Sequence, residues 1–208
     1  MDLLRKAVSP IGRVDPRYYQ YVGWSFVSNV FASMQSILSS HSMLSVISLA
    51  DTEILITSNY IMKDMVGQMG GLYYIDKMGN KFDRKPKMIV KHAMISQQTA
   101  MVVECLTPLI PNGLFIPVAG GANMIKNISF TGFGSINTRI IQTLAASDNI
   151  GEIYSKLSVV NAFGSTLGMG LGLLIAVKIP DHGIRLGVMP ILIAGRVWTF
   201  KKAVKGLI

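Results

Sequence analysis

The sequence predicts an all-α fold: a polytopic helical membrane protein of about six helices, with both termini on the same, inside face. Only 15% of its 208 residues are charged and 50% are apolar, whereas about 25% are charged in a typical soluble domain. Uncharged runs recur along the chain, and the run 157–177 would form a helix of about 31 Å, close to the thickness of a bilayer's hydrocarbon core. The basic residues are also distributed unevenly between the segments that connect these runs.

Charged residues and turn signals mark the helix limits. No charged residue lies between Tyr18 and Ala50, and a Pro-Asn-Gly turn at 111–113 separates the third helix from the fourth. The stretch FTGFGS at 130–135 is a candidate break in the fourth helix. The predicted helices are 18–48, 52–78, 88–110, 113–146, 152–178 and 185–203.

The first helix carries a polar face. Ser25, Asn29, Ser33, Ser36 and Ser40 recur at three to four residues and therefore lie on one side of a helix. Lipid cannot satisfy these groups, so the face must meet other helices or a water-filled cavity. Three interpretations stay open: a packing seam, a polar pathway, or a helix lying amphipathically in the membrane interface.

The fifth helix contains a glycine cluster that could be a phosphate-binding loop or a packing ridge. The dinucleotide fingerprint fails because Leu173 stands where the third glycine should be, and the P-loop pattern lacks its lysine. Gly164, Gly168 and Gly172 lie four residues apart and share one helix face. They predict a helix-packing ridge, facing either this chain or a partner.

Threading six spans with the N-terminus inside separates the basic residues. Fifteen of the twenty Lys and Arg residues then fall inside and two outside, as the positive-inside rule expects; Lys63, Lys126 and Arg196 lie within the helices. This distribution accounts for the net charge of +9 without nucleic acid. The basic block 76–87 has one aromatic residue, so we expect no nucleic-acid partner.

Charged residues inside the predicted helices are the candidate ligand-binding residues. A charge at membrane depth is costly, faces the bundle interior and is usually paired. The structural interpretation is a set of internal salt bridges that fix the packing. The functional interpretation is a small-anion or proton site built from Asp64, Glu104 and Lys126. The candidates are Asp64, Glu104, Lys126, Arg139 and Lys156.

Catalytic, metal and cofactor chemistry has little support in the sequence. The histidines His41, His92 and His182 are far apart, and Cys105 is the single cysteine. We therefore expect no catalytic residue, no metal and no resident cofactor, and we do not expect an enzyme. The basic N-terminal lead, 1–17, shows neither a secretory signal nor another targeting address.

Six segments, in this order and spacing, resemble the root UVB sensitive family from about residue 14 to the C-terminus. They are VDPRYYQYVGWSFVSNVFASMQSILSSHSML at 14–44, MKDMVGQMGGLYY at 62–74, FDRKPK at 82–87, VVECLTPLIP at 102–111, VAGGANMIKNI at 118–128 and NTRIIQTLAASDNIGEIYSKLSVVNAFGSTLGMGLG at 137–172.

Four positions depart from the family pattern. Met65 replaces the usual glycine, Gly71 the usual arginine, Glu152 the aspartate and Ser155 the alanine. The first two departures lie in the Asp64 segment and affect which functional role can be carried over to it from the family.

The resemblance implies one helical membrane domain over 14–208, and a family associated with ultraviolet-B tolerance and vitamin B6 homeostasis in plants, often in plastids. It implies no biochemical activity. From the uncharged helices we expect an integral membrane protein that contacts the lipid bilayer, in an unspecified compartment. The charged residues within the helices and the polar first helix indicate that it binds or moves a small polar solute, and the resemblance makes pyridoxal phosphate or another B6 vitamer a candidate ligand. The alternative is a non-catalytic membrane scaffold, forming a homo- or hetero-oligomer with a related family member.

Overall fold

Six α-helices account for most of the chain in a computed structural model, which describes residues 8–47, 53–179 and 181–208. Within these ranges the structure has no strand, only an isolated bridge between Val14 and Ala145. The six predicted helices are confirmed, each to within a few residues. They are α1 Tyr18–Ile47, α2 Glu53–Met78, α3 Pro86–Leu106, α4 Phe115–Leu144, α5 Ile150–Lys178 and α6 His182–Ala203.

Helices α3, α5 and α6 start two or three residues earlier than the sequence indicated, and for α3 and α6 the reason is visible. Pro86 occupies the first turn of α3, where its fixed φ and missing N–H suit a helix start. Asp181 caps α6, because its carboxylate accepts a hydrogen bond from the backbone N–H of Ile184 at 2.8 Å.

Helix α4 continues through the stretch 130–135, so the expected candidate break does not occur. Gly132 lies against α3, where an added Cβ would come within 2.9 Å of the Ala93 Cβ. The glycine therefore permits close approach of two helices instead of ending one.

Helix α1 is the centre of the bundle. It packs along α5 and α6 and also contacts α3, while α4 packs against α2 and α3. The bundle is thus two groups of three helices, α5–α1–α6 and α2–α4–α3, joined mainly where α1 meets α3.

One apolar core joins the helix ends nearest to both termini. It contains Tyr18 at the start of α1, Leu144 at the end of α4, Ile153 near the start of α5 and Ala203 at the end of α6. The Arg17 guanidinium also donates a hydrogen bond to the Gly206 carbonyl. Consecutive helices therefore alternate in direction, and the described N- and C-terminal segments lie at the same end of the bundle.

That end of the bundle, called the basic end below, carries most of the positive charge. Arg5 and Lys6, also expected there, lie outside the described residues. The basic residues at these helix ends and connections are Arg13, Arg17, Lys77, Lys81, Arg84, Lys85, Lys87, Lys91, Arg139, Lys156, Lys201, Lys202 and Lys205.

The glycine ridge of α5 packs on α1 of the same chain. Gly164, Gly168 and Gly172 are all buried. A Cβ at Gly164 would lie 2.9 Å from a backbone oxygen of α1, and one at Gly172 would lie 3.1 Å from another. In this structure the ridge therefore makes an intramolecular contact. The backbone oxygens that it meets belong to Phe26, Val30 and Met34.

Two of the six helices are long and apolar enough to cross a membrane. The mean hydropathy of the most apolar window is 1.7 in α5 and 1.3 in α6, and 28% of each window is buried. In α1 and α2 the serines and the charged residues lower the hydropathy. All-α architecture is therefore shown, whereas six membrane spans stay a prediction.

The N-terminal lead is tied to the connection between α4 and α5. The backbone N–H groups of Ile11 and Gly12 donate to the Glu152 carboxylate at 2.6 and 3.2 Å. The Asp15 N–H donates to the Leu144 carbonyl at 3.1 Å. Residues 8–17 consequently form part of the folded domain.

Candidate functional site

A cavity of about 410 Å³ lies between the two helix groups. One wall is the polar face of α1, which contributes Ser25, Ser28, Asn29, Ser33 and Ser36. We call it the serine cavity. The face predicted from the sequence therefore lines a cavity, although Ser40 is not among its lining residues.

The position of α1 excludes one of the three interpretations of its polar face. Because α1 packs on α3, α5 and α6, the interpretation as a helix lying in the membrane interface is wrong. The face acts in part as a packing seam: the Asn161 side-chain oxygen accepts hydrogen bonds from Asn29 at 2.6 Å and from Ser25 at 3.2 Å. The rest of the face borders the cavity.

Four other helices supply the remaining polar lining. Gln97 comes from α3, Asn137 from α4, Asn161 and Ser165 from α5, and Arg196 from α6. The cavity thus depends on residues as far apart in the sequence as Tyr21 and Ala203, brought together by the bundle.

Arg196 is the charged group of the serine cavity and is only 6% exposed. One terminal nitrogen donates to the Ser28 hydroxyl, and the other lies 3.5 Å from the Gln97 side-chain oxygen, at the limit of a hydrogen bond. The guanidinium carbon lies 5.8 Å from the Phe133 ring centroid and 5.5 Å from that of Phe200. These rings attract a cation but do not neutralise it.

No carboxylate compensates this arginine within the described part of the chain. None of the residues lining the serine cavity is Asp or Glu, and none of the four salt bridges includes Arg196. Its Nε is buried without a hydrogen-bond partner. The sequence places Arg196 within a helix, but Arg196 was not among the candidate ligand-binding residues. An arginine in so apolar a segment is the sequence feature that could have identified it.

Glu104 and Lys126, two of the residues selected from the sequence, are in direct contact. The Lys126 ammonium lies 2.5 and 2.6 Å from the two carboxylate oxygens of Glu104, which is fully buried. The pair joins α3 to α4. For these two residues the internal salt bridge expected from their depth is present.

Asp64 lies elsewhere, between α2 and α4. Its carboxylate is 3.0 Å from the Lys63 ammonium and accepts a hydrogen bond from the Asn123 amide at 3.0 Å. Gly67, one turn later, sits directly against the same Asn123 side chain. The segment that resembles the family's glycine-containing motif is thus the contact of α2 with α4.

Arg139 and Lys156 lie near the basic end. Arg139 donates to the Asp83 carbonyl at 2.6 Å, and Lys156 interacts electrostatically with Glu152. The structure therefore brings together Glu104 and Lys126 but does not gather all five selected residues in one place. None of the five lines the serine cavity, and their ligand-binding role stays a prediction.

Other reactive groups do not form a cluster in the described residues. No three His, Cys, Asp or Glu side chains there approach closely enough to hold a metal ion. Cys105 is a free, buried thiol.

Comparison with known proteins identifies the family. The family model described as the vitamin B6 photo-protection and homoeostasis domain matches residues 4–208. No solved structure matches the chain.

Curated relatives share the same region at low identity. Root UVB sensitive 4 of Arabidopsis thaliana is 27% identical over 78% of this chain, and root UVB sensitive 6 is 25% identical over 90%. RUS family member 1 of Dictyostelium discoideum is 21% identical over 79%. The matched region spans 32%, 39% and 32% of these relatives' own lengths. The match over nearly the whole chain shows that it belongs to the root UVB sensitive family.

Proposed function

We propose that this domain is embedded in a membrane and binds, or moves, a small polar solute in the serine cavity. The family's description names vitamin B6, so a B6 vitamer or a related metabolite is the first solute to test. The observation that carries the proposal is a cavity of about 410 Å³ with a partly polar lining, inside a bundle that exposes many large apolar side chains. That volume is within the range of small-molecule sites.

The outer surface supports the membrane part of the proposal. Phe163, Leu167, Leu171 and Leu174 of α5 are all exposed, and an apolar helix face of this kind is stable against lipid. The concentration of positive charge at the basic end matches the side of a membrane protein that stays inside.

Paired charges support it as well. Glu104 and Lys126 neutralise each other in the bundle interior, which is the arrangement that ionisable groups adopt at membrane depth. The polar face of α1 is turned towards other helices and the cavity, as a low-dielectric surrounding requires.

The test is a binding measurement on protein purified in uncharged detergent. B6 vitamers, including uncharged pyridoxine, are titrated while the thermal unfolding midpoint and calorimetric heat are followed. Ser165→Phe projects a ring into the cavity and should abolish binding, whereas Ser158→Phe, on the exposed side of the same helix, should leave it unchanged.

Two results would contradict the proposal. If no vitamer binds under any condition, the B6 assignment is wrong. If Ser165→Phe binds normally while Asp64→Asn or Glu104→Gln does not, the solute occupies the charged sites selected from the sequence instead of the serine cavity.

A second candidate function is a membrane scaffold that pairs with a related family member. Helix α2 supports it, because Ile61, Met65, Met69 and Leu72 form an exposed apolar surface on a helix too polar to qualify as a membrane span. A Met69→Cys variant should then cross-link to a co-expressed relative, with exposed Met169→Cys on α5 as the control. Equal cross-linking at both positions would argue against a specific partner surface.

A further inference from the structure

The serine cavity contains a buried positive charge for which the described residues supply no counter-ion. We propose that Arg196 anchors the anionic oxygen group, a phosphate or carboxylate, of the ligand bound in this cavity. The inference rests on the proposed function, because it assigns the ligand's chemical class on the assumption that the cavity takes a solute.

Burial makes an uncompensated arginine costly. A charged group removed from water needs a partner of opposite charge or a full set of hydrogen bonds. Arg196 is 6% exposed, and its Nε has no acceptor. The Gln97 contact at 3.5 Å satisfies one terminal nitrogen only weakly.

The unsatisfied groups match the geometry of an oxyanion. Nε and one terminal nitrogen of a guanidinium form the planar fork that binds two oxygens of a phosphate or carboxylate. In Arg196 the unpaired Nε and the weakly bonded nitrogen that faces Gln97 can form this fork. A bound anion would accept hydrogen bonds from both of these nitrogens, while the other terminal nitrogen keeps its hydrogen bond to Ser28.

The rest of the lining suits the same ligand. Ser33 and Ser36 hydroxyls can donate to further anion oxygens. Phe130, Phe133 and Phe200 provide an apolar wall, against which a planar ring could pack. The fitting ligand is therefore a small compound that joins an anionic group to a ring.

The test uses pyridoxine 5′-phosphate and pyridoxine, two probes that differ only by the phosphate. Neither has an aldehyde, so neither forms adducts with lysine. We expect the phosphorylated probe to bind wild-type protein at least tenfold more tightly, and Arg196→Gln to remove this difference. Arg196→Lys, which keeps the charge but loses the fork, should retain part of it.

Arg185 provides a matched control. It is 8% exposed, on the same helix, and bonded to His41 at 2.6 Å, and it does not line the serine cavity. Arg185→Gln should therefore preserve the preference for the phosphorylated probe. If Arg196→Gln does not fold, the inference is tested by the other two measurements. These are the preference of the wild-type protein for the phosphorylated probe and the partial loss of that preference in Arg196→Lys.

The anion could be a free phosphate or a lipid headgroup, and a second arm separates these sources. Phosphatidic acid is added to the protein in phosphatidylcholine nanodiscs, without any soluble probe. Stabilisation by the lipid that depends on Arg196, with no effect of either pyridoxine compound, would support the anion anchor but contradict the small-solute function.

Other results would overturn the inference. Equal binding of pyridoxine and its phosphate would leave the solute function intact and refute the anion anchor. A phosphate preference that survives in Arg196→Gln would place the anion on another residue and refute it as well.

Discussion

Gly168 of α5 lies directly against the backbone carbonyl of Val30 in α1. No Cβ could occupy this position without displacing one of the two helices. The contact belongs to the α1–α5 interface, one of the walls of the serine cavity. Glycine at this point therefore sets the distance between two helices that supply cavity residues.

Gly168→Ala should destabilise the protein by about 1–3 kcal/mol, because the new methyl group overpacks a tight interface. Gly170→Ala, two residues away, where an added Cβ would meet nothing within 4 Å, should be neutral or slightly stabilising. Thermal unfolding in detergent measures both. Equal stability of the two variants would show that the ridge does not control helix packing.

Glu104→Met alone should cost about 3–5 kcal/mol, since it leaves the largely buried Lys126 ammonium without its counter-ion. The double variant Glu104→Met, Lys126→Met should recover most of that loss, because the two charges are removed together. A double-mutant cycle on unfolding free energies measures the coupling. Additive effects would contradict a direct pair.

Asp15 should make stability depend on pH in the acid range. Its two hydrogen bonds with the Arg17 side chain, at 2.8 and 2.7 Å, lower the pKa of the carboxyl from 3.8 to about 2. A folded-state pKa below the unfolded one stabilises the folded state above pH 3.8, and this contribution is lost as pH falls towards 2.

The difference in unfolding midpoint between wild type and Asp15→Asn should therefore shrink as pH falls from 3.8 towards 2. Asp76→Asn, whose side chain is 71% exposed, is the control and should show little change. A pH-independent difference for Asp15→Asn would argue against the ion pair as its cause.

Glu152 should hold the N-terminal lead in place, since it accepts hydrogen bonds from the Ile11 and Gly12 amides. Glu152→Ala should speed hydrogen exchange of these two amides severalfold without melting α5. The control is Ser155→Ala, an exposed position in the next turn. Unchanged exchange in Glu152→Ala would show that other contacts hold the lead.

The proposed topology predicts that the two ends of α6 lie on opposite sides of a membrane. The helix has 22 residues, about 33 Å at 1.5 Å per residue. In a Cys105→Ser background, Lys202→Cys and Gly183→Cys should react with an impermeant maleimide from opposite sides of sealed vesicles. Labelling of both from one side would contradict a spanning α6.

The helices and their limits could be predicted because they depend on local features. Uncharged runs and the turn at 111–113 are visible in the sequence, and the glycine ridge follows from a spacing of four residues on one helix. The polar face of α1 was also visible, since its serines recur with the helical period.

The site was less predictable because it depends on which helices become neighbours. Glu104 and Lys126 are 22 residues apart and do meet, but Asp64, Arg139 and Lys156 are held in other places by the packing. Arg196 was placed within a predicted helix but was not among the residues selected from the sequence, and in the described chain no carboxylate pairs with it.

The sequence by itself determined six helices, their alternation, the positive charge at one end and the family to which the chain is similar. These properties follow from the helical periodicity of side chains, from residues that begin or end helices, and from composition, all of which act over a few residues at a time. Only the tertiary structure decided that α1 lies at the centre, that the glycine ridge faces α1, and that serines and Arg196 share one cavity. Such contacts arise from close packing between helices distant in the chain, and no local pattern records which faces will meet.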